Sequence, residues 1–296
     1  GMIDYIVTTG ANLYHDLHHS LDLPLSQGTP FVNDNELFEN DIIRIYDIFM
    51  EYEVLAATDN WLMRTFSRPE FQKRMGTREL HYLLGKFADE VEQERGTVGK
   101  SFIAEAYRYE VPIYTSSPGD STLGLDIAAL NLVGKDIYID SSIDVNETAA
   151  LVLEAKQIGK SGVVVWGGGS PKNFILQPEP ALQEVLGFDI KGHDYFVQVT
   201  DARPDTGGLS GATPNEAVSW AKIDPDTVNQ SVVCYSDTTI VMPLLTAYLE
   251  SCKIRRKPKR LYKKLPKLTD KLREKFLQQK DLILGKRSVA DTIQFL

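Results

Sequence analysis

The chain has 296 residues, 43% of them hydrophobic, with two cysteines and a net charge of −9, which leaves room for one large α/β domain or two modest ones around a buried core. No run approaches the ~20 apolar residues of a membrane span, and the first twenty residues hold His15, Asp16, His18 and His19 where a signal peptide needs an apolar stretch, so a cytoplasmic protein with no membrane attachment is expected. Cys234 and Cys252 form no CxxC pair, which excludes a disulfide framework, a thiol redox motif and a cysteine zinc site.

In chain order, Tyr5–Thr8 is the first candidate strand, followed by the small residues Thr9 and Gly10 and then by "ANLYHDLHH". His15, His18 and His19 would share a helix face, a spacing that can hold a metal. Nothing nearby completes a ligand set, so histidines lining a pocket or meeting solvent are expected, and no metal. A long helical insertion is expected from about Asp41 to Tyr109, including "TRELHYLLGKFADEVEQE". Further candidate strands are Pro112–Thr115, Gly162–Trp166, Tyr195–Thr200 and Ser231–Tyr235, with a weaker one at Asp136–Ile139. Short β-branched runs that alternate with longer amphipathic stretches predict an α/β fold, a Rossmann-like parallel sheet covered by helices on both faces.

The last core helix expected is Ile240–Cys252, after which a basic segment opens with "KIRRKPKRLYKKLPKL". Residues 253–296 carry fifteen lysines and arginines against four acids, so the first 252 residues hold a charge of −20. An acidic body suits a small cationic substrate, although solubility accounts for acidic surfaces as well. The tail lacks the sheet and aromatic platforms of single-strand binders, so nucleic acid is not an expected partner; a solvated or self-docking arm with one charged helix, Leu268–Gln279, is. The expected organisation is a catalytic domain over 1–252 and a basic extension over 253–296.

Several candidate strands end in small or polar residues just ahead of a helix, as in "IVTTGAN", "IYTSSPGDS", "VVVWGGGS", "VQVTDARP" and "VVCYSDTT". Ligands of open α/β sheets lie at the carboxyl ends of the strands. Gly167, Gly168 and Gly169 would let the backbone approach a dinucleotide ahead of a helix N-terminus, and Asp120, Asp201 and Asp237 are natural partners of ribose hydroxyls. The spacing is not GxGxxG, so an ordinary Rossmann dehydrogenase is not supported. Lys222 stands between Ala221 and Ile223, with Trp220 beside them. It is either an exposed helix lysine or an amine whose burial keeps it neutral and able to form an imine.

The stretch Ser210–Lys222, "SGATPNEAVSWAK", resembles the deoxyhypusine synthase signature SGA-x-P-x-EAVSWGK around the imine-forming lysine. The resemblance extends to "VTTGANLYHDL", "GDSTLG", "WGGGSPK" and "YSDTTIVMPLL", and so covers about residues 3 to 252. It implies an NAD-dependent transfer of an aminobutyl group from a polyamine such as spermidine to an amine acceptor. In that reading Lys222 carries the imine, Glu216 binds a substrate ammonium and Trp220 forms a wall of the pocket. Thr8, Thr9, Gly10, Asp120, Gly168, Asp201, Asp237 and Thr238 fall at positions that hold NAD. The family also implies a homotetramer with active sites at dimer interfaces.

This chain departs from the family where polyamine amines are bound. Leu125 replaces an acid, with Asp126 one step later; Lys172-Asn173-Phe174 replaces Lys-His-His; and Leu209 replaces an acid before "SGA". An ammonium left buried without a partner is costly, so the transfer chemistry looks kept while the donor fit, with Asn173 and Asp126 as candidate substrate contacts, looks altered. The sequence also starts at what resembles an interior strand of the family. The first reading is homospermidine synthase-like; a true deoxyhypusine synthase acting on a translation-factor lysine and an inactive NAD-binding partner of a longer paralogue are the alternatives.

Overall fold

A computed structural model describes residues 1–286. The fold is mixed α/β with parallel sheets and helices, and it divides into two compact units, Ile3–Ser141 and the chain from Ser142 onward together with Gly1–Met2.

The first unit runs through β1 (Ile6–Thr8), α1 (Gly10–Ser20), β2 (Ser26–Gln27), α2 (Asp34–Glu39), β3 (Ile42–Ile45), β4 (Ile48–Glu51) and α3 (Tyr52–Phe66). It continues with β5 (Arg74–Met75), α4 (Thr77–Arg95), α5 (Phe102–Tyr109), β6 (Ile113–Thr115), α6 (Thr122–Leu132) and β7 (Tyr138–Ile139). Strands β1 and β6 pair in parallel with Ile6 opposite Ile113. Helix α1 starts where Thr9 Oγ1 accepts from the N–H of Asn12, a side-chain cap that satisfies one orphan donor. Its buried face, Leu13, Tyr14 and Leu17, joins Leu62, Phe66, Phe71, Leu84, Phe87 and Ile103 in the core. Asp16 caps a different helix, α5, by accepting from the N–H groups of Phe102 (3.1 Å) and Ile103 (2.9 Å).

The expected helical insertion, Asp41 to Tyr109, is corrected at its start. Residues Ile42–Ile45 and Ile48–Glu51 form an antiparallel pair with Ile43 opposite Met50, and β2 extends it on the far side of β4. Tyr46 turns the hairpin with φ +54°, and β-branched isoleucines pack on a pleated surface better than on a helix. The rest of the insertion holds helices α3, α4 and α5, with the short strand β5 between α3 and α4.

The second unit contains α7 (Ser141–Ile158), β8 (Gly162–Trp166), α8 (Gly169–Leu176), α9 (Pro178–Pro180), β9 (Tyr195–Thr200), α10 (Pro214–Ser219), β10 (Val232–Tyr235), α11 (Thr238–Ser251) and α12 (Leu265–Lys286). Its sheet is parallel in the order β10-β9-β8. The strands expected in one sheet thus lie in separate parallel sheets, and the weak run near Asp136–Ile139 pairs with Arg74–Met75. The self-docking of the basic tail is also visible. Leu272 is buried against Ala149, Val152, Leu153 and Leu182, with Leu268 beside it, and Lys271 pairs with Glu154. The end of the expected extension, 287–296, lies outside the described residues.

Candidate active site

The signature stretch folds as a short capped turn. Thr213 Oγ1 accepts from the N–H of Glu216, Pro214 opens α10, and the helix ends at Trp220. Ala221 then adopts φ +55°, the left-handed region that L-residues disfavour. Its carbonyl accepts from Gln183 Nε2 at 2.9 Å, while Lys222 N–H donates to the Ala217 carbonyl at 2.9 Å. The left-handed step aims Lys222 back across the turn. Its Nζ donates to Asn173 Oδ1 at 2.8 Å and lies 5.7 Å from the centre of the Trp220 ring. Burial pushes the Lys222 amine below its ordinary range, against the carboxylates of Glu179, Glu184 and Glu216, which hold it up.

A second lysine sits deeper. Lys172 is 4% exposed, and its Nζ donates to Gln198 Oε1 (3.0 Å) and to the carbonyls of Ser210 (3.2 Å) and Ala212 (2.7 Å). Burial lowers it to about 8; Glu216 opposes that and Lys222 adds to it. Gln198 also donates to the carbonyls of Gly167 and Ser210, so β9, the glycine turn and the "SGA" loop are tied together by two buried side chains. Sequence reasoning missed both roles. Their signal was a lone glutamine inside a β-branched strand and a lysine in the first turn of a buried helix.

Gly168 passes so close to Ser210 that a Cβ there would lie 2.6 Å from the Ser210 Cα, and Gly169 N–H donates to Ser210 Oγ at 2.9 Å. Parallel topology sets Gly168, Asp201, Asp237 and Thr238 at one end of the β10-β9-β8 sheet. Asp201 is exposed, whereas the Asp237 carboxylate caps α11 by accepting from Thr239 N–H at 2.7 Å. Glu216 and Trp220 are exposed, and Asn173 holds Lys222.

The remaining candidates lie in the first unit. Thr9 is the cap of α1, and Thr8 Oγ1 accepts from Asn12 Nδ2 at 3.0 Å. Beyond β6 a cavity of about 290 Å³ is lined by Gly10, Thr115, Gly119, Ser121 and Gly124, with His81 at its wall; the exposed Asp120 stands between two of these residues. Burial drops His81 to about 4. The small residues share the lining with Leu123, Ile127 and Ile137, and the volume, near the lower end of small-molecule sites, has room for part of a dinucleotide. Leu125 is 63% exposed, while Asp126, one helical step on, is 6% exposed and its Oδ2 meets no hydrogen-bond partner among the described residues. Burial and the neighbouring Asp59 raise Asp126 to about 7, and Asp59 itself accepts from Tyr14 Oη at 2.6 Å.

Two of the histidines of α1, His15 and His18, are structural, and His19 is exposed. Thr58 Oγ1 donates to the Val54 carbonyl, so it accepts from His18 Nδ1 (2.8 Å), which leaves His18 Nε2 to accept from His15 Nδ1 (3.1 Å). Burial holds His18 down to about 4, with His15 and His19 adding to it. Among the described residues no group of three or more His, Cys, Asp or Glu is placed to hold a metal, and no helix is long and apolar enough to cross a membrane.

A family model described as deoxyhypusine synthase matches residues 1–249. A deoxyhypusine synthase-like protein of Nostoc sp. is 55% identical over 282 residues, 95% of this chain and 74% of that one. Another from Nostoc punctiforme is 55% identical over 295 residues, 99% of this chain and 74% of its own. A protein of Methanosarcina acetivorans named "Probable deoxyhypusine synthase 2" is 41% identical over 244 residues, 82% of this chain and 68% of that one.

Proposed function

This chain belongs to the deoxyhypusine synthase family, a family of transferases, and from that premise we propose that it moves an aminobutyl group from a polyamine such as spermidine to a small amine acceptor through an imine on Lys222. The reaction class is homospermidine synthase-like and NAD-dependent. The observation that carries the reading is the half-buried Lys222 amine, lowered by desolvation and held by Asn173.

Thr8, Thr9, Gly10, Asp120, Gly168, Asp201, Asp237 and Thr238 would hold NAD, within a catalytic region spanning 1–252 to which 253–296 is an extension. NAD held there would supply the hydride acceptor for the carbon beside the donor's secondary nitrogen and, in its reduced form, the hydride for the closing reduction. The chain's own work lies between those events. Neutral Lys222 attacks the oxidised carbon, the bond from that carbon to the leaving amine breaks, and one proton passes from the lysine nitrogen to the departing amine. An acceptor amine then displaces the lysine by the same exchange. Desolvation, which lowers the amine, eases loss of the proton that must leave before attack, and Asn173, which cannot take up a proton, orients it. Trp220 and Glu216 bind the chain and the far ammonium of the donor, and Asp126 supplies a carboxyl on the substrate side. The exposed Leu125 and Leu209, 63% and 45%, support an altered donor fit. A cytoplasmic homotetramer with active sites at dimer interfaces completes the proposal.

Incubation with NAD and a panel of labelled polyamines, followed by borohydride, tests it. Label should be fixed on Lys222 and lost in Lys222→Ala. Label retained by that variant, or never fixed on the wild type, overturns the assignment.

A further inference from the structure

A fully buried carboxylate stands behind the nucleophile, and the chemistry above leaves it unused. Glu179 in α9 is 0% exposed, and neither of its oxygens receives an aligned hydrogen bond from a described residue. His193 Nε2 does lie 2.9 Å from Oε1. The same imidazole has its Nδ1 3.0 Å from Ser161 Oγ. A buried carboxylate so poorly bonded is unfavourable unless a cation shares its surroundings.

The backbone connects this pair to Lys222. His193 N–H donates to the Lys222 carbonyl at 2.9 Å, and Asp224 N–H donates to the His193 carbonyl at 3.0 Å, so residue 193 pairs with Ile223, the residue that follows the lysine. The two segments run together because residue 192 is glycine: a Cβ there would lie 2.6 Å from the carbonyl carbon of Lys222. Of the charges acting on the Lys222 amine, Glu179 comes first, ahead of Glu184 and Glu216. Those two side chains are exposed and screened by water, whereas the field of Glu179 is not. Lys172 is a like charge close enough to feel Lys222.

We propose that Glu179, beside His193, is the buried counter-ion of Lys222, and that it stabilises each cation that nitrogen carries: the ammonium at rest and the protonated imine during transfer. The second half rests on the reading of Lys222 as nucleophile. In the exchange that loads the lysine, the positive charge of the oxidised donor ends on the lysine nitrogen. No proton is gained or lost overall, so a cation remains inside the protein until the acceptor arrives. A fixed carboxylate that needs no rearrangement is an effective stabiliser of such a charge.

The rate of acetylation of Lys222 by acetic anhydride, followed against pH by peptide mass spectrometry on the protein without substrate, reads the ammonium directly. Glu179→Gln should move the midpoint down by about one unit, roughly a tenfold gain in free amine at a given pH, and Glu179→Asp should recover part of the shift. Glu184→Gln should move it much less. An unchanged midpoint in a folded Glu179→Gln protein overturns the counter-ion. Should that single variant fail to fold, the pair is tested by stability: Lys222→Met lowers Tm, and adding Glu179→Gln to it restores part of the loss, whereas a further drop overturns the proposal. Borohydride trapping separates the two readings, since a shifted midpoint without any trapped adduct on the wild type leaves the counter-ion standing and removes the transferase assignment.

Discussion

Ala221 bends the chain into the left-handed region, φ +55°, at a cost of about 1–2 kcal/mol for a residue with a Cβ. Glycine would remove that cost and lose about 0.5–1 kcal/mol in chain entropy, so Ala221→Gly should raise stability by about 0.5–1 kcal/mol, measurable by urea titration. Asp126 offers a test with a sign. Its folded value of about 7 lies above the ordinary 3.8, so the fold favours the protonated acid; that contribution is complete below pH ~4 and is lost as pH rises through about 7. Asp126→Asn should therefore stabilise the protein at pH 8 by on the order of 2–4 kcal/mol and do little at pH 4, as paired denaturant curves will show. The position of Lys222 was legible because a motif surrounds it. Glu179 and His193 were not, since fourteen residues apart in sequence they meet only through the fold.

Among the elements, β8 and β9 were legible to the residue, Gly162–Trp166 and Tyr195–Thr200, because buried parallel strands read as short continuous apolar runs. The β3–β4 hairpin was not. Its isoleucines were absorbed into a longer helical stretch, and the features that fix it, a left-handed Tyr46 and the Arg44–Asp34 pair (Nη2 to Oδ2 2.8 Å), carry no sequence periodicity. The charged helix expected at Leu268–Gln279 lies within the longer α12, Leu265–Lys286, and its anchor is specific. Leu272→Ala removes a side chain that is 4% exposed and should cost about 2–4 kcal/mol. Hydrogen exchange should then quicken in α12 and along the α7 face at Ala149, Val152 and Leu153.

At the scale of the whole molecule, the candidate residues divide between the two units. Thr8, Thr9, Gly10, Asp120 and Asp126 belong to one; Gly168, Asn173, Asp201, Glu216, Trp220, Lys222, Asp237 and Thr238 belong to the other. The boundary was not legible, because it falls at the first turn of α7, Ser141–Ile158, and not in a Gly- or Pro-rich linker. The division frames a further expectation. Lys222→Ala should abolish transfer while leaving NAD affinity within about twofold of the wild type, because the amine forms the imine without holding the cofactor; calorimetry with NAD on both proteins decides it.

The leucines under α12 determine how the protein meets a charged matrix. Leu272 and Leu268 fasten a segment whose lysines and arginines belong to a local charge of +11, and an apolar fastening does not loosen when added salt screens ionic attraction. A chain of sequence pI near 5.2 therefore carries a cationic handle that stays in place through a salt gradient. Cation-exchange resin should retain it at a pH where its net charge is negative, and Leu272→Ala should broaden that elution.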